Sequence, residues 1–256
     1  MILGMELWFI LLLLGTGFVA GIINTLAGGG SNLTLPALMV MGMPADVANA
    51  TNRVAVFLQG VAGSTGFHRN DRLPRHDIKA IVIPTLIGSV FGALLASYAP
   101  PGLLKYMLLG AMLTMTVVML IKPSVVAPPP DSVPFLVRER PSAFPVLLLA
   151  GFYGGFVQAG VGFILIAAFA GSLRYDLVRA NALKMFTTLF FTAIALAIFI
   201  YNDQVLWVPG LTLSIGTVLG AYGAVKFAIK AKPSTLKWFL FVMTLTGCIA
   251  AIFSDL

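Results

Sequence analysis

The chain has 256 residues, 59% of them hydrophobic and only 10% charged, with a mean hydropathy of +0.99 and a formal net charge of +7. So few charges cannot cover a soluble domain of this size, which excludes a soluble enzyme and places the chain in a bilayer. The positive charge is not a nucleic-acid signature, because it collects in short segments between apolar runs, and the single Cys248 excludes a disulfide framework or a multi-cysteine metal site.

About 20 apolar residues of helix cross a bilayer core. The first such run, 5–27, lacks a basic leader and is read as a mature helix, not a signal peptide. It leads into "GIINTLAGGGSNLTLP", Gly21 to Pro36, where three glycines, Ser31 and Asn32 interrupt the helix. Glycine costs about 1 kcal/mol relative to alanine in a helix interior, so a break is predicted, followed by a short apolar piece at 33–42. Further helices are predicted at 47–67, 78–98 and 102–121. After a Pro-rich polar linker, taken as unstructured, come 143–158, a second short piece at 161–171, then 177–200, 206–229 and 235–253. None of these runs alternates apolar and polar residues, which excludes a membrane β-barrel. The expected fold is all-α: a polytopic integral membrane protein with about 8 spanning helices and two short broken or re-entrant segments.

Charge sets the orientation. The segments 68–79 ("HRNDRLPRHDIK"), 122–142, 172–179 and 226–237 hold 13 of the 16 basic residues, so all four are assigned to the cytoplasm. The intervening loops hold only Lys105. His68 and His76 read as solvated loop residues.

The chain also repeats itself. "IGSVFGA" (Ile87–Ala93) recurs as "IGTVLGA" (Ile215–Ala221), and the Gly30 to Asp46 spacing recurs as Gly160 to Asp176. The halves are 1–121 and 143–256, joined by the linker 122–142. The basic 68–79 loop corresponds to the uncharged-to-acidic "YNDQVL", and the neutral "SYAPPGLLK" to the Lys-rich "KFAIKAKPSTLK". Loops that exchange their charge imply an inverted-topology repeat, a plan in which the substrate site lies near the midplane at interrupted helices of both halves. The interruptions are "AGGGSN" and "QAGVG". By contrast, Gly88-x-x-x-Gly92 and Gly216-x-x-x-Gly220 read as close helix-packing positions.

Arg53 and Lys184 lie about eight residues inside their helices, with no acidic residue at comparable depth. A charge at the bilayer centre costs at least about 2.5–3.5 kcal/mol, so an intramembrane cation is a functional candidate by default; two of them suggest an anionic ligand. Asn181, Lys184 and Thr188 share one helix face; Asn49 and Arg53 share another. Asn24, Ser31, Asn32, Thr51, Asn52, Gln59 and Gln158 could supply neutral hydrogen bonds, and the breaks at Gly28, Gly29 and Gly30 expose backbone N–H groups that favour anions. Asp46 and Asp176 occupy matching helix starts and read as N-caps, with proton coupling as the functional alternative. No nucleophile–base pair, metal spacing or phosphate loop is present, so no catalytic residue, metal or cofactor is expected.

"AGGGSNLTLPALMVMGMPADVANATNRVAVF", with its glycine cluster, following "LP" and "A-x-x-T" helix opening, resembles the sulfite exporter TauE/SafE family. The weaker copy "GFVQAGVGFILIAAF…RANALKM" extends the resemblance over nearly the whole chain. The resemblance implies a multi-pass carrier of the bacterial inner membrane exporting sulfite or a small organosulfonate such as sulfoacetate. It implicates Gly28, Gly29, Gly30, Asn52 and Arg53; the second copy has no arginine matching Arg53. The expected function is an exporter of a small sulfur oxyanion working by alternating access. An anion channel and a membrane-embedded enzyme acting on an anionic lipid are the alternatives.

Overall fold

The computed structural model describes residues 6–121 and 132–230, with no strand among them. The expected helix at 235–253, together with Cys248, Lys122, Lys232 and Lys237, lies outside the described residues.

Among the described residues, nine α-helices follow the apolar runs. In order they are α1 (Leu7–Leu26), α2 (Ser31–Val40), α3 (Ala45–Arg69), α4 (Ile78–Tyr98), α5 (Pro101–Ile121), α6 (Ala143–Phe156), α7 (Val161–Ile166), α8 (Leu177–Tyr201) and α9 (Trp207–Lys230). Four of them, α1, α4, α8 and α9, are long and apolar enough to cross a membrane. At 25 residues α3 is equally long, but its buried face is polar, with Asn49, Thr51, Asn52, Arg53 and Gln59 along it. The two short segments are helical. With 10 residues α2 rises about 15 Å, half of a hydrocarbon core of roughly 30 Å. After α7 the helix continues as a wider π-type turn over Ala167–Ser172.

Helix pairing is specific. α1 lies along α9 and α4 lies along α6, while α3 packs against α8 and α9, and α4 also meets α8. Glycines make the close crossings. A Cβ on Gly17 would lie 2.7 Å from the Leu213 carbonyl oxygen, and one on Gly216 would lie 2.5 Å from that of Leu14; Gly21 and Gly220 are equally tight against Thr217 and Phe18. The α4–α6 crossing is built the same way, with Gly88 and Gly92 against Leu148 and Phe152, and Gly151 and Gly155 against Thr85 and Ser89. The packing expected of both "G-x-x-x-G" pairs is therefore what the structure contains.

Outer faces are apolar: Leu11, Phe18, Phe91, Leu149, Ile215 and Leu219 are all exposed, as a lipid-facing surface requires. Exposed Tyr98, Tyr106, Tyr201 and Trp207 mark the ends of α4 and α8 and the starts of α5 and α9, where amphipathic rings suit the headgroup level. These ends belong to the loops poor in basic residues.

The polar linker was expected to lack structure. Residues 132–142, however, are ordered against the protein. Phe135 N–H donates to the Leu173 carbonyl (2.9 Å), Val137 N–H donates to Asp77 Oδ2 (2.6 Å), and Val137–Glu139 forms a 3-10 turn. Arg140 and Arg174 both cover the Phe135 ring, at 4.6 and 5.0 Å. One aromatic anchor inside a polar stretch supplies burial that composition alone does not reveal.

Candidate anion site at two opposed helix breaks

Both broken helices end on the same pair of backbone hydrogen bonds. At the end of α1, the N–H groups of Ala27 and Gly28 donate to the Ile23 carbonyl (2.7 and 3.0 Å), and Gly28 turns to φ +104°. At the end of α6, Val157 and Gln158 donate to the Tyr153 carbonyl (2.8 and 3.1 Å), and Gln158 sits at φ +65°. Only glycine takes such conformations freely. The second break holds a glutamine there, and that side chain is in use: its Oε1 accepts from Arg53 and its Nε2 donates to Thr192 Oγ1 (3.1 Å). The breaks meet, since a Cβ on either Gly28 or Gly162 would overlap the backbone of the other.

The sequence left Arg53 and Lys184 without partners. The structure gives each one the carbonyl end of a broken helix more than 100 residues away in sequence. Lys184 Nζ donates to the carbonyls of Asn24 (2.6 Å) and Thr25 (2.8 Å), at the end of α1, and to Asn181 Oδ1 (2.8 Å). The Arg53 guanidinium donates to the carbonyls of Gly154 and Gly155 at the end of α6, to Gln158 Oε1 and, at 3.3 Å, to Asn49 Oδ1. Phe199 lies under it, 5.4 Å from ring centroid to guanidinium carbon. Both cations are fully buried, at 0% and 1% exposure, so snorkelling to the interface is not what they do.

Magnitudes explain why this is stable. Hydrogen bonds from a charged donor contribute about 1.5–3 kcal/mol each, so three from Lys184 offset an insertion cost of about 2.5–3.5 kcal/mol. A helix C-terminus carries only about half an elementary negative charge, less than the unit charge of a protonated side chain. Among the described residues the one ion pair is Arg179–Asp176, far from either cation at the exposed start of α8. No group of His, Cys, Asp and Glu among the described residues is arranged to hold a metal ion.

The remaining predicted residues do different things. Asn24 and Gln59 join α1 to α3: Asn24 Nδ2 donates to Gln59 Oε1 (3.0 Å), and Gln59 Nε2 donates to the Gly21 carbonyl (3.1 Å). Ser31 and Asn52 join α2 to α3: Asn52 Nδ2 donates to Ser31 Oγ (3.1 Å), while Asn52 Oδ1 accepts from Thr34 (2.7 Å). Thr51 does something else, accepting the Leu206 N–H (3.0 Å) at the start of α9. Gly29 and Gly30 line the first break; a Cβ on Gly29 would meet the Phe163 ring, and one on Gly30 would meet α1. Several buried polar atoms here lack a protein partner: Asn32 Oδ1, Asn181 Nδ2, Thr187 Oγ1 and Arg53 Nε. Three of those four can donate, which suits a ligand with several acceptor oxygens.

The N-cap reading holds for one aspartate and fails for the other. Asp176 Oδ1 accepts from the N–H groups of Val178 and Arg179, both at 3.0 Å. Asp46 caps nothing: α3 begins at Ala45 after Pro44, which moves Asp46 into the first turn. There it faces the positive helix end as a point charge. Sequence reasoning missed Thr34, Thr192 and Phe199, whose roles arise only from contacts across the chain, and the backbone carbonyls themselves, which no side-chain pattern announces.

Comparison with known proteins agrees with this architecture. The family described as Sulfite exporter TauE/SafE matches residues 13–251. The chain is 28% identical to a probable membrane transporter protein (ORF9) of Sinorhizobium, over 89% of this chain and 86% of the relative. It is 28% identical to a probable membrane transporter protein of Haemophilus influenzae, over 94% and 93%. With the probable membrane transporter protein YfcA of Escherichia coli K12 it shares 30% identity, over 82% and 78%. No solved structure matches the chain.

Proposed function

We propose that this chain, which belongs to the sulfite exporter TauE/SafE family, is a secondary transporter that exports a small sulfur oxyanion, sulfite or an organosulfonate such as sulfoacetate. The observation that carries the reading is the reciprocal capping of the two breaks by Arg53 and Lys184. It leaves two positive centres inside the membrane with no carboxylate of the described residues paired with either, and an anion between them would gain from both fields. Sulfonates stay ionised across physiological pH, so a fixed positive site suits them.

Pairing between the halves supports alternating access. A shift of 130 residues takes Gly30 to Gly160 and Asp46 to Asp176. The same shift takes the Asn24 and Thr25 carbonyls to those of Gly154 and Gly155, and Gly28 to Gln158. It also takes α1 onto α6, and their crossings are alike: Gly220 of α9 meets Phe18 and Ile22 as Gly88 of α4 meets Leu148 and Phe152. An inverted repeat needs such an exchange, because each half must offer the same surface to the other. Each cation ties its own half to the opposite broken helix. Rocking one half against the other would stretch one clamp before the other and open the site to one face at a time. The inside-negative membrane potential drives an anion outward at about 2.3 kcal/mol per charge per 100 mV, so efflux needs no coupled ion. The basic loops place 68–79 on the cytoplasmic side of a bacterial inner membrane.

The test is binding and counterflow with purified protein in liposomes, offering sulfite, sulfoacetate, sulfate and acetate to wild type, Arg53→Gln and Lys184→Gln. Saturable counterflow of sulfite or sulfoacetate, lost in both variants while both remain folded, is the expected result. Flux that never saturates would identify a channel instead. Variants that exchange anions like wild type would reduce both cations to structural clamps.

A further inference from the structure

A groove of about 420 Å³ opens between the Arg69 end of α3, the start of α4 and the middle of α8, away from the helix breaks. Its outer end is polar and basic, with His68 and Arg75 at the rim; its inner end is apolar, with Phe186 and Phe190 on the floor. Between them lie Thr65 and Ser64. We propose that this groove binds an anionic phospholipid, with the headgroup phosphate on Arg75 and His68 and one acyl chain along Phe186 and Phe190.

Three observations converge on that occupant. The first is charge: Arg75 Nη2 stands 3.4 Å from His68 Nε2, and no carboxylate pairs with Arg75 among the described residues. The nearby Asp77 is engaged by the Val137 N–H instead. Two basic groups facing each other without an acid are suited to a phosphate, and basic pockets between membrane helices hold anionic headgroups.

The second is depth. His68 ends α3 at the headgroup level, and Ser64 lies four residues deeper, about 6 Å at 1.5 Å per residue. Leu189 packs on Gly60, eight residues or about 12 Å deeper along α3 than His68, and its neighbour Phe190 is 40% exposed. A polar-to-apolar gradient along the membrane normal, open at its side, fits a lipid. A small soluble anion would use only its mouth.

The third is Ser64. Its Oγ is buried without any partner, and the residue is 6% exposed. Other hydroxyls in these helices bond back to the carbonyl four residues earlier: Thr16 to Leu12, Thr114 to Gly110, Thr212 to Val208 and Ser214 to Gly210. Ser64 makes no such bond, and it sits at the depth where a phospholipid carries its ester oxygens.

The experiment is native mass spectrometry of the full chain released from nanodiscs of phosphatidylcholine with added phosphatidylglycerol. Wild type should retain phosphatidylglycerol in preference to phosphatidylcholine. His68→Gln/Arg75→Gln should weaken that retention about fivefold, the effect of the one arginine charge removed. Thr65→Trp, which keeps both basic groups and fills the groove, should abolish it. Arg69→Gln, a basic residue of the same helix end outside the groove, should leave it unchanged. Equal retention of both lipids overturns the proposal, as does retention that survives Thr65→Trp. Displacement by millimolar inorganic phosphate as effective as that by phosphatidylglycerol would make the rim a free-anion site and overturn it too.

Discussion

Gly28→Ala tests the geometry on which the site rests. Gly28 is buried at φ +104°, and a Cβ there would overlap Gly162 of the opposite break. The left-handed backbone costs an L-residue about 1–2 kcal/mol, and forcing an extra methyl into a packed contact costs about 1–3 kcal/mol. Together these give roughly 2–5 kcal/mol. Gly162→Ala meets the same overlap without the positive φ, so it should cost only the packing part, about 1–3 kcal/mol. The assay is reversible unfolding in mixed micelles or bicelles, read by circular dichroism, with Gly15→Ala as the control because nothing lies within 4 Å of a Cβ there. The expected order of stability loss is Gly28→Ala, then Gly162→Ala, with no loss for Gly15→Ala, which gains up to about 1 kcal/mol as a helix-interior alanine. Counterflow should fall in the first two, since separating the breaks moves the Asn24 and Thr25 carbonyls away from Lys184. If Gly28→Ala unfolds like Gly15→Ala and transports normally, the breaks are not in contact and the description of the site is wrong.

Other predictions use the same reasoning. Arg53→Lys keeps the charge but cannot reproduce a planar fork reaching Gly154, Gly155, Gln158 and Asn49 at once; counterflow should fall sharply, and wild-type rates would show that charge alone suffices. Asp176→Ala removes a side-chain cap with two N–H partners and should cost about 1 kcal/mol in the same unfolding assay. Asp46→Asn, which breaks no cap, should cost less, about 0.3–1 kcal/mol; equal losses would contradict the difference seen between the two helix starts. Gly220→Leu should separate α9 from α1, because a side chain there meets the Phe18 carbonyl. Its signature is loss of folded protein on size-exclusion chromatography, whereas Gly223→Leu, in open space, should behave as wild type.

The sequence by itself determined the membrane class, the helices and the breaks. Apolar runs and glycine clusters act locally, through burial and backbone entropy, so α4 falls where 78–98 was expected and α5 begins within one residue of the expected 102. The same locality made Arg53 and Lys184 visible as costly charges. What they touch was not legible. Their partners are main-chain carbonyls 101 and 160 residues away in sequence, and every residue type carries such a carbonyl. Only the fold decides which carbonyls are left unpaired at a helix end. Asp46 and Asp176 look alike in the sequence, yet α3 begins one residue before Asp46 and α8 one residue after Asp176, which gives a cap to one and none to the other. Tertiary structure also ordered Phe135 within a polar stretch, because two arginines distant in sequence from each other converge on its ring. Local preferences set where helices start and stop; the satisfaction of their ends is a property of the assembled bundle, and in this protein the candidate site is made of those ends.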